Sequence, residues 1–344
     1  MTAREEDATG TEAPPDGATP TAGRGGRGAG RVRSALSRLS KLPFRSVSRR
    51  AGTVDPMSTA TTTTDDPEVL EAIAERIAPL ADRELLIGLD VDGTLVDHHG
   101  MMSPRIYEAL RRAAERHHVV IATGRSIGAT LPIVRAAGVR HGYAVCSNGG
   151  VTLRIDPDAP DGFRVDQVRS FTPGNALAAL RRAAPGAGFA VESPSGAFYS
   201  TGQFQDSSFG VRAIPTAFED LIELDAVRVV VHDPDLTAAE FGEIVRSAGV
   251  HGVEYAIGTT AWLDMAAPGV SKATGLEAIR ERLGLPEGDS VAMGDGFNDT
   301  EMLRWAGVGV AMGQALDGVI DAADLRTSTI WDDGSALVLE ALTA

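Results

Sequence analysis

The chain has 344 residues, 43% of them hydrophobic, a formal net charge of −15 and one cysteine, Cys146. That length suits one large domain or two ordinary ones, and the acidic balance argues against a nucleic-acid binder, whose surface needs a basic footprint. No uninterrupted apolar run is long enough to span a bilayer, no signal-like apolar stretch opens the chain, and a lone cysteine forms no internal disulfide, so a cytoplasmic protein without a membrane span is expected.

Residues 1–66 are rich in Gly, Ala, Ser, Thr, Pro and Arg and poor in large apolar side chains. Such a segment buries too little surface to offset its ordering entropy, and it is expected to be disordered. Within it, "RVRSALSRLSKLPFRSVSRR" is basic, with Leu36, Leu39, Leu42 and Phe44 loosely spaced. A solvated tail is the plain reading, weak contact with a surface or partner the alternative, and a translation start at Met57 would remove most of it.

From residue 67 the pattern is regular. "PEVLEAIAERIAPLA" has helical periodicity, and "ELLIGLDV" reads as a strand ending on Asp90. A helix follows with Ser103 as N-cap and Pro104 in its first turn. After the strand "HVVIATG", another helix runs from the cap Ser126 to Gly138, and "YAVCSNGG" is a third strand. The thiol of Cys146 is expected in the core. This alternation predicts a doubly wound, Rossmann-like α/β core with a parallel sheet. After Gly150 the rhythm changes, and residues 151–265 read as an inserted α+β domain of antiparallel strands and two helices. Trp262 and Phe204 within it are expected to pack, with pocket lining as the alternative. The parallel rhythm returns with "SKATGLEAIRERLG", "SVAMGDG", "NDTEMLRWAG" and "VGVAMG", so the core comprises residues 67–150 and 266–344.

In a parallel sheet, ligands bind beyond the carboxyl ends of the strands. Four chain segments bring polar residues there: Asp90 and Asp92; Thr123, Gly124 and Arg125; Lys272; and Asp295, Asn298 and Asp299. Carboxylates crowded at one edge repel, and a hard cation such as Mg²⁺, which takes a few carboxylates, waters and a phosphate, relieves the repulsion. One carboxylate can attack phosphorus, and a second can protonate the leaving group and then activate water. Gly93 permits a tight turn, and Thr94 is expected to hydrogen-bond across it. Asn298 and Glu301 read as a capping pair. His98 and His99 sit in a segment read as extended, where neighbours point apart, which disfavours a metal pair.

"DVDGT", "ATGR", a lysine after the insertion and "GDGFND" resemble the four motifs of the haloacid dehalogenase (HAD) superfamily. The spacing, with "SNGG", "APGVSKATGL" and "VAMGQA", resembles its Cof-type branch, in which a large C2-type α/β cap lies between the second and third motifs. The likeness covers roughly residues 83–340. It implies a phosphoric monoester hydrolase acting on a small phosphorylated metabolite, a sugar phosphate or similar, with Mg²⁺ as cofactor. Asp90 matches the nucleophile and Asp92 the general acid/base, with its backbone carbonyl on the metal. Thr123 and Gly124 match the phosphate-binding residues, and Lys272 would steady Asp90 and the transferring group. Asp295 matches the metal-binding carboxylate. Asp299 would hold a metal-bound water or orient Lys272, and Asn298 would contact phosphate or substrate. Substrate contact is implied for Arg125, Ser147 and Asn148. Gln314 stands where the branch often has Asn, a departure not expected to alter the chemistry. A dehalogenase would need neither Asp92 nor a metal. A phosphomutase shares the motifs, and a non-catalytic phospho-ligand sensor would be favoured by loss of Asp90, Asp92, Lys272 or Asp295.

Overall fold

The computed structural model describes residues 66–202, 207–250, 253–257 and 260–344; the tail through residue 65, with its basic stretch, and Phe204 lie outside the described residues. In chain order the strands are β1 (Leu86–Leu89), β2 (His118–Ala122), β3 (Gly142–Cys146), β4 (Val151–Ile155), β5 (Phe163–Val168), β6 (Gly188–Glu192) and β7 (Phe198–Ser200). They continue as β8 (Ile214–Pro215), β9 (Arg228–His232), β10 (Glu254–Ile257), β11 (Trp262–Ala266), β12 (Ser290–Gly294), β13 (Val308–Ala311) and β14 (Leu325–Arg326). Two sheets result, ordered β14-β13-β12-β1-β2-β3-β4-β5 and β10-β11-β9-β6-β7-β8.

From β14 to β3 the first sheet is parallel. β1 is buried along its whole length, which is why it reads as a continuous apolar run. Ile87 and Leu89 face a core shared with helices Pro104–Arg116 and Gly334–Leu342, whereas Leu86 faces one shared with helices Lys272–Leu283 and Thr300–Trp305. The chain leaves β1 toward β2 on one side and returns through β12 on the other. The end of β1 is therefore the point where strand order reverses and a crevice opens.

The expected caps form. Ser103 Oγ accepts from Ile106 N at 3.1 Å and Ser126 Oγ from Ala129 N at 3.4 Å. The first helix, Pro67–Arg76, starts one residue after Asp66, whose carboxylate accepts from Glu68 N at 3.0 Å. Cys146 is buried, and burial pushes its thiol up to about 12.

Three expectations change. β4 and β5, read as part of the insertion, pair antiparallel with β3 and with each other, so the first sheet runs to Val168. Alternation in "VTLRI" and "FRVDQV" is the same whichever sheet takes the strands; the tight turn at 147–150 decides it. Asp97 Oδ1 accepts from His99 N and Met101 N at 2.8 and 2.9 Å, folding "DHHG" into a turn that brings the His98 and His99 rings to 3.7 Å rather than apart. Asn298 does not cap with Glu301: Asp299 Oδ2 accepts from the Asp295 and Gly296 amides, at 3.1 and 2.9 Å.

The second sheet packs Phe189, Val191, Val229, Val231, Leu263 and Met265 against helices Gly174–Ala183 and Ala238–Ser247. The two-residue strand period then turns Ala190, Glu192, Arg228, Val230, Trp262 and Asp264 to the opposite face. That face carries the polar side chains that meet the end of the first sheet. Turn Ser207–Phe209 fastens the sheets together, since Ser126 N donates to Ser208 O at 2.9 Å and Ser126 Oγ to Phe209 O at 2.6 Å.

Candidate active site

Asp90 is still held by the sheet, donating its N–H to Met293 O at 3.0 Å, and its side chain is buried. The chain then reverses tightly, with Gly93 N donating to Val96 O at 2.8 Å. Gly93 has φ +79°, and a Cβ there would overlap the Asp295 carboxylate, so both backbone and space demand glycine. Thr94 Oγ1 is buried without a hydrogen-bond partner, so the expected bond across the turn is absent. Gly93 and backbone hydrogen bonds, including those of Leu95 N and Val96 N to Val91 O at 2.9 Å each, make this turn.

Lys272 is wholly buried, and its Nζ donates to Asp90 Oδ1 at 2.5 Å and Asp299 Oδ1 at 2.6 Å. It opens the helix Lys272–Leu283, capped by Ser271, whose Oγ accepts from Thr274 N at 3.4 Å. Burial alone would lower the lysine pKa, but Asp299 and then Asp90 outweigh it and hold it above its ordinary value. Asp90 is pushed well upward by burial and then by Asp299, with Lys272 opposing. Asp295 rises to about 6, by burial first and Asp299 second.

Asp90, Asp295 and Asp299 each offer one carboxylate oxygen, all within 4.8 Å of one another. The donors are oxygens only and repel, which fits a hard divalent cation such as Mg²⁺. The Asp92 carboxylate lies outside this group: Arg125 grips it with Nε to Oδ2 at 2.8 Å and a terminal nitrogen to Oδ1 at 2.5 Å. Its side chain is 60% exposed, so this pair faces the crevice. Gln314 is the residue that sequence reasoning discounted. Its Nε2 donates to Gly93 O at 2.6 Å and Asp295 Oδ2 at 3.3 Å, and its Oε1 accepts from Ile330 N at 3.0 Å. A single amide thus ties the β1 turn to the Asp295 carboxylate.

Beyond β2, Thr123 is buried and its Oγ1 accepts from Arg125 N at 3.1 Å. The turn after β3 comes alongside: Asn148 N donates to Thr123 O at 3.0 Å and Ser147 N to Arg125 O at 2.9 Å. Asn148 Oδ1 accepts from Asn298 Nδ2 at 3.0 Å. Ser147 and Asn148 have φ of 53° and 51°, a left-handed conformation costing roughly 1–2 kcal/mol per residue. Gly124 lies beneath the Asn148 amide, where a Cβ would sit 3.2 Å from it.

All four segments therefore meet. Asp90, Asp92, Thr123, Gly124, Arg125, Asp295 and Asn298 line one cavity of about 310 Å³. Lys272 and Asp299 stand behind Asp90, and Asn148 behind Gly124 and Asn298. The second sheet adds Arg228, Trp262 and Asp264 to the cavity wall, and the 207–209 turn adds Ser208. Asp264 accepts from Arg228 Nε at 2.5 Å and Trp262 Nε1 at 2.9 Å. Trp262 thus lines the cavity instead of merely packing. No motif announced Arg228, Asp264 or Ser208; their only signal was a charged or polar residue on the inward face of a strand or in a turn. Among the described residues no helix is long and apolar enough to cross a membrane.

The profile of the haloacid dehalogenase-like hydrolases matches residues 87–339. The chain is 26% identical over 272 residues to the 5-amino-6-(5-phospho-D-ribitylamino)uracil phosphatase YitU of Bacillus subtilis, covering 74% of this chain and 96% of that one. It is 29% identical over 267 residues to the phosphoglycolate phosphatase of Natronomonas pharaonis, covering 77% and 96%. Among solved structures it resembles the HAD subclass IIB sugar phosphatase BT4131, with TM-score 0.61 and 25% identity over 73% of this chain and 96% of that one.

Proposed function

The chain belongs to the haloacid dehalogenase-like hydrolase family, and from that premise we propose that it is a Mg²⁺-dependent phosphatase of a small phosphorylated metabolite. The observation that carries this reading is Asp90, buried and held by Lys272 at 2.5 Å on the wall of the cavity. With Oδ1 on Lys272, Oδ2 is the oxygen left to attack phosphorus. The bond to the leaving oxygen breaks as Asp92 supplies its proton, leaving an aspartyl-phosphate on Asp90. Asp92, now ionised, takes a proton from water; that water attacks phosphorus and the Asp90 carboxylate is released.

Thr123, Gly124 and Asn298 would receive the phosphoryl oxygens, with Asn148 holding Asn298 in place. A substrate phosphate would compete with Asp92 for the Arg125 guanidinium, which suits planar bidentate recognition of either anion. Asp90, Asp295 and the backbone carbonyl of Asp92 would hold Mg²⁺, which supplies charge neutralisation that lets a dianionic phosphate approach carboxylates. Asp299, with both oxygens already engaged, would orient Lys272. Lys272 stabilises charge developing at Asp90 and the phosphoryl group.

The second sheet acts as the cap. A cavity of about 310 Å³ is at the low end for ligand sites, which supports a small substrate. Arg228 and Asp264 already neutralise each other, and Trp262 adds a flat apolar face. This end suits an uncharged, hydroxylated leaving group such as a sugar. The test is inorganic phosphate release from sugar phosphates, phosphoglycolate and 5-amino-6-(5-phospho-D-ribitylamino)uracil, with Mg²⁺ or chelator, beside Asp90→Asn. Metal-dependent release lost in the variant is expected. Release that persists in chelator or in the variant would overturn the mechanism.

A further inference from the structure

One side chain of the cap reaches past the cavity into the wall of the catalytic core. Glu192, the last residue of β6, is fully buried, and its Oε2 accepts a hydrogen bond from Ser147 Oγ at 2.8 Å. Its other oxygen, Oε1, has no hydrogen-bond partner. A buried carboxyl with half its capacity unused is costly to retain, and nothing in the chemistry above uses it. The groups facing it are Arg228 on β9, Asp264 on β11 and Cys146 on β3, with Ser147.

Ser147 is not an ordinary partner. It begins three consecutive residues of positive φ, Ser147, Asn148 and Gly149, at 53°, 51° and 100°. Asparagine tolerates this conformation, but a serine holds it only where the surroundings impose it. The turn is wedged on two further sides: a Cβ on Gly149 would collide with Ser271 O, the cap residue of the Lys272 helix, and one on Gly150 with Val227 O, in the connection just before β9. Glu192 O also accepts from Val227 N at 2.8 Å, which fixes the Glu192 backbone to the same strand connection. Downstream, the turn sets Asn148 against Thr123 O and Asn298.

We propose that Glu192 is a positioning residue: through Ser147 it holds the strained turn that aligns Asn148, Asn298 and the Thr123–Gly124 segment, so that the cap must be seated for the phosphate cradle to have its working shape. This rests on the phosphatase reading for what the cradle binds. Glu192 itself touches neither phosphate nor metal. It acts as the side-chain strut between the inward face of the second sheet and the loop on which the cradle is built.

The experiment combines Glu192→Ala, Glu192→Gln, Ser147→Ala and the double variant Glu192→Ala/Ser147→Ala. Two readouts are used: steady-state kinetics on the best substrate, and the Kd of orthovanadate, a phosphate-shaped anion that needs no turnover. Each alanine variant should weaken vanadate binding and lower kcat about tenfold, the worth of one buried hydrogen bond. The double variant should be no worse than either single one. Glu192→Gln, which keeps an acceptor for Ser147, should restore kcat to within about twofold. Thermal unfolding checks that each variant is folded; where Glu192→Ala is not, Ser147→Ala and Glu192→Gln carry the test. If folded alanine variants keep wild-type kcat and vanadate affinity, or if their losses multiply in the double variant, the strut is wrong. Wild-type protein that binds vanadate but releases no phosphate from any substrate would sink the phosphatase reading, while the binding series still judges Glu192.

Discussion

Replacing Lys272 by methionine isolates the charge at the centre of the site. The apolar side chain is of similar length, so the pocket stays filled while one cation and two short hydrogen bonds, at 2.5 and 2.6 Å, are removed. Asp90, Asp295 and Asp299 then crowd together within 4.8 Å with no cation among them. Removing one partner of a buried pair costs about 3–5 kcal/mol, and because two carboxylates lose their partner here, about 4 kcal/mol is expected in metal-free protein. Asp90 and Asp295, already pushed upward by burial, respond by taking up protons, so the loss should shrink as pH falls toward 5. On the proposed metal site Mg²⁺ would bind the folded form alone; at a hundredfold its Kd it would return about 2.7 kcal/mol, and the more negative variant site should gain more from it than wild type does. Urea unfolding at pH 7.5, with chelator and with saturating Mg²⁺, measures both gaps. Phosphate release should fall by about 10²–10³ in kcat, the scale of a lost electrostatic group. A gap below about 1 kcal/mol in chelator, unchanged by Mg²⁺, would refute the reasoning, as would kcat within threefold of wild type.

Gln314→Ala removes the amide that joins Gly93 O to Asp295 Oδ2; the Mg²⁺ concentration for half-maximal activity should rise about tenfold with little change in kcat at saturation, and an unshifted metal titration would deny Gln314 this role. Burial raises Glu192 from 4.5 to about 7, so its neutral form favours the fold. Its contribution is complete below about pH 4.5 and is lost as pH climbs to about 7, some 3 kcal/mol in all. Denaturant titrations of metal-free wild type should show that decline, and Glu192→Gln should flatten it; parallel curves would place the carboxyl outside this balance. The Cys146 thiol, pushed up to about 12 and buried, should react with iodoacetamide at pH 8 at least 100-fold more slowly in folded protein than in urea, and comparable rates would contradict its burial.

Much of the candidate site was legible because its signals are local. A strand buried on both faces must be apolar throughout, so carboxylates at its end, followed by Gly93, mark the place where the chain turns at the sheet edge. Ser103, Ser126 and Ser271 cap helices through hydrogen bonds three residues long, and alternation of strands with such helices implies a parallel sheet whose carboxyl ends gather the polar residues. Those regularities placed Asp90, Thr123, Lys272 and Asp295 together before any coordinates.

What only the tertiary structure decided depends on contacts between residues far apart in the chain. β4 and β5 carry the same alternation in either sheet, and hydrogen bonds to β3 assign them to the first. Gln314 looks like any loop glutamine until Gly93 and Asp295, 221 and 19 residues away, come within reach of its amide. Arg228, Asp264 and Glu192 read as charges on strand faces that could equally meet water. The burial of Arg228 and Glu192, and the half-burial of Asp264, against the carboxyl edge of the first sheet follow from how the two sheets dock, through Ser126 and the 207–209 turn, and periodicity within a strand says which residues share a face but not what that face will meet.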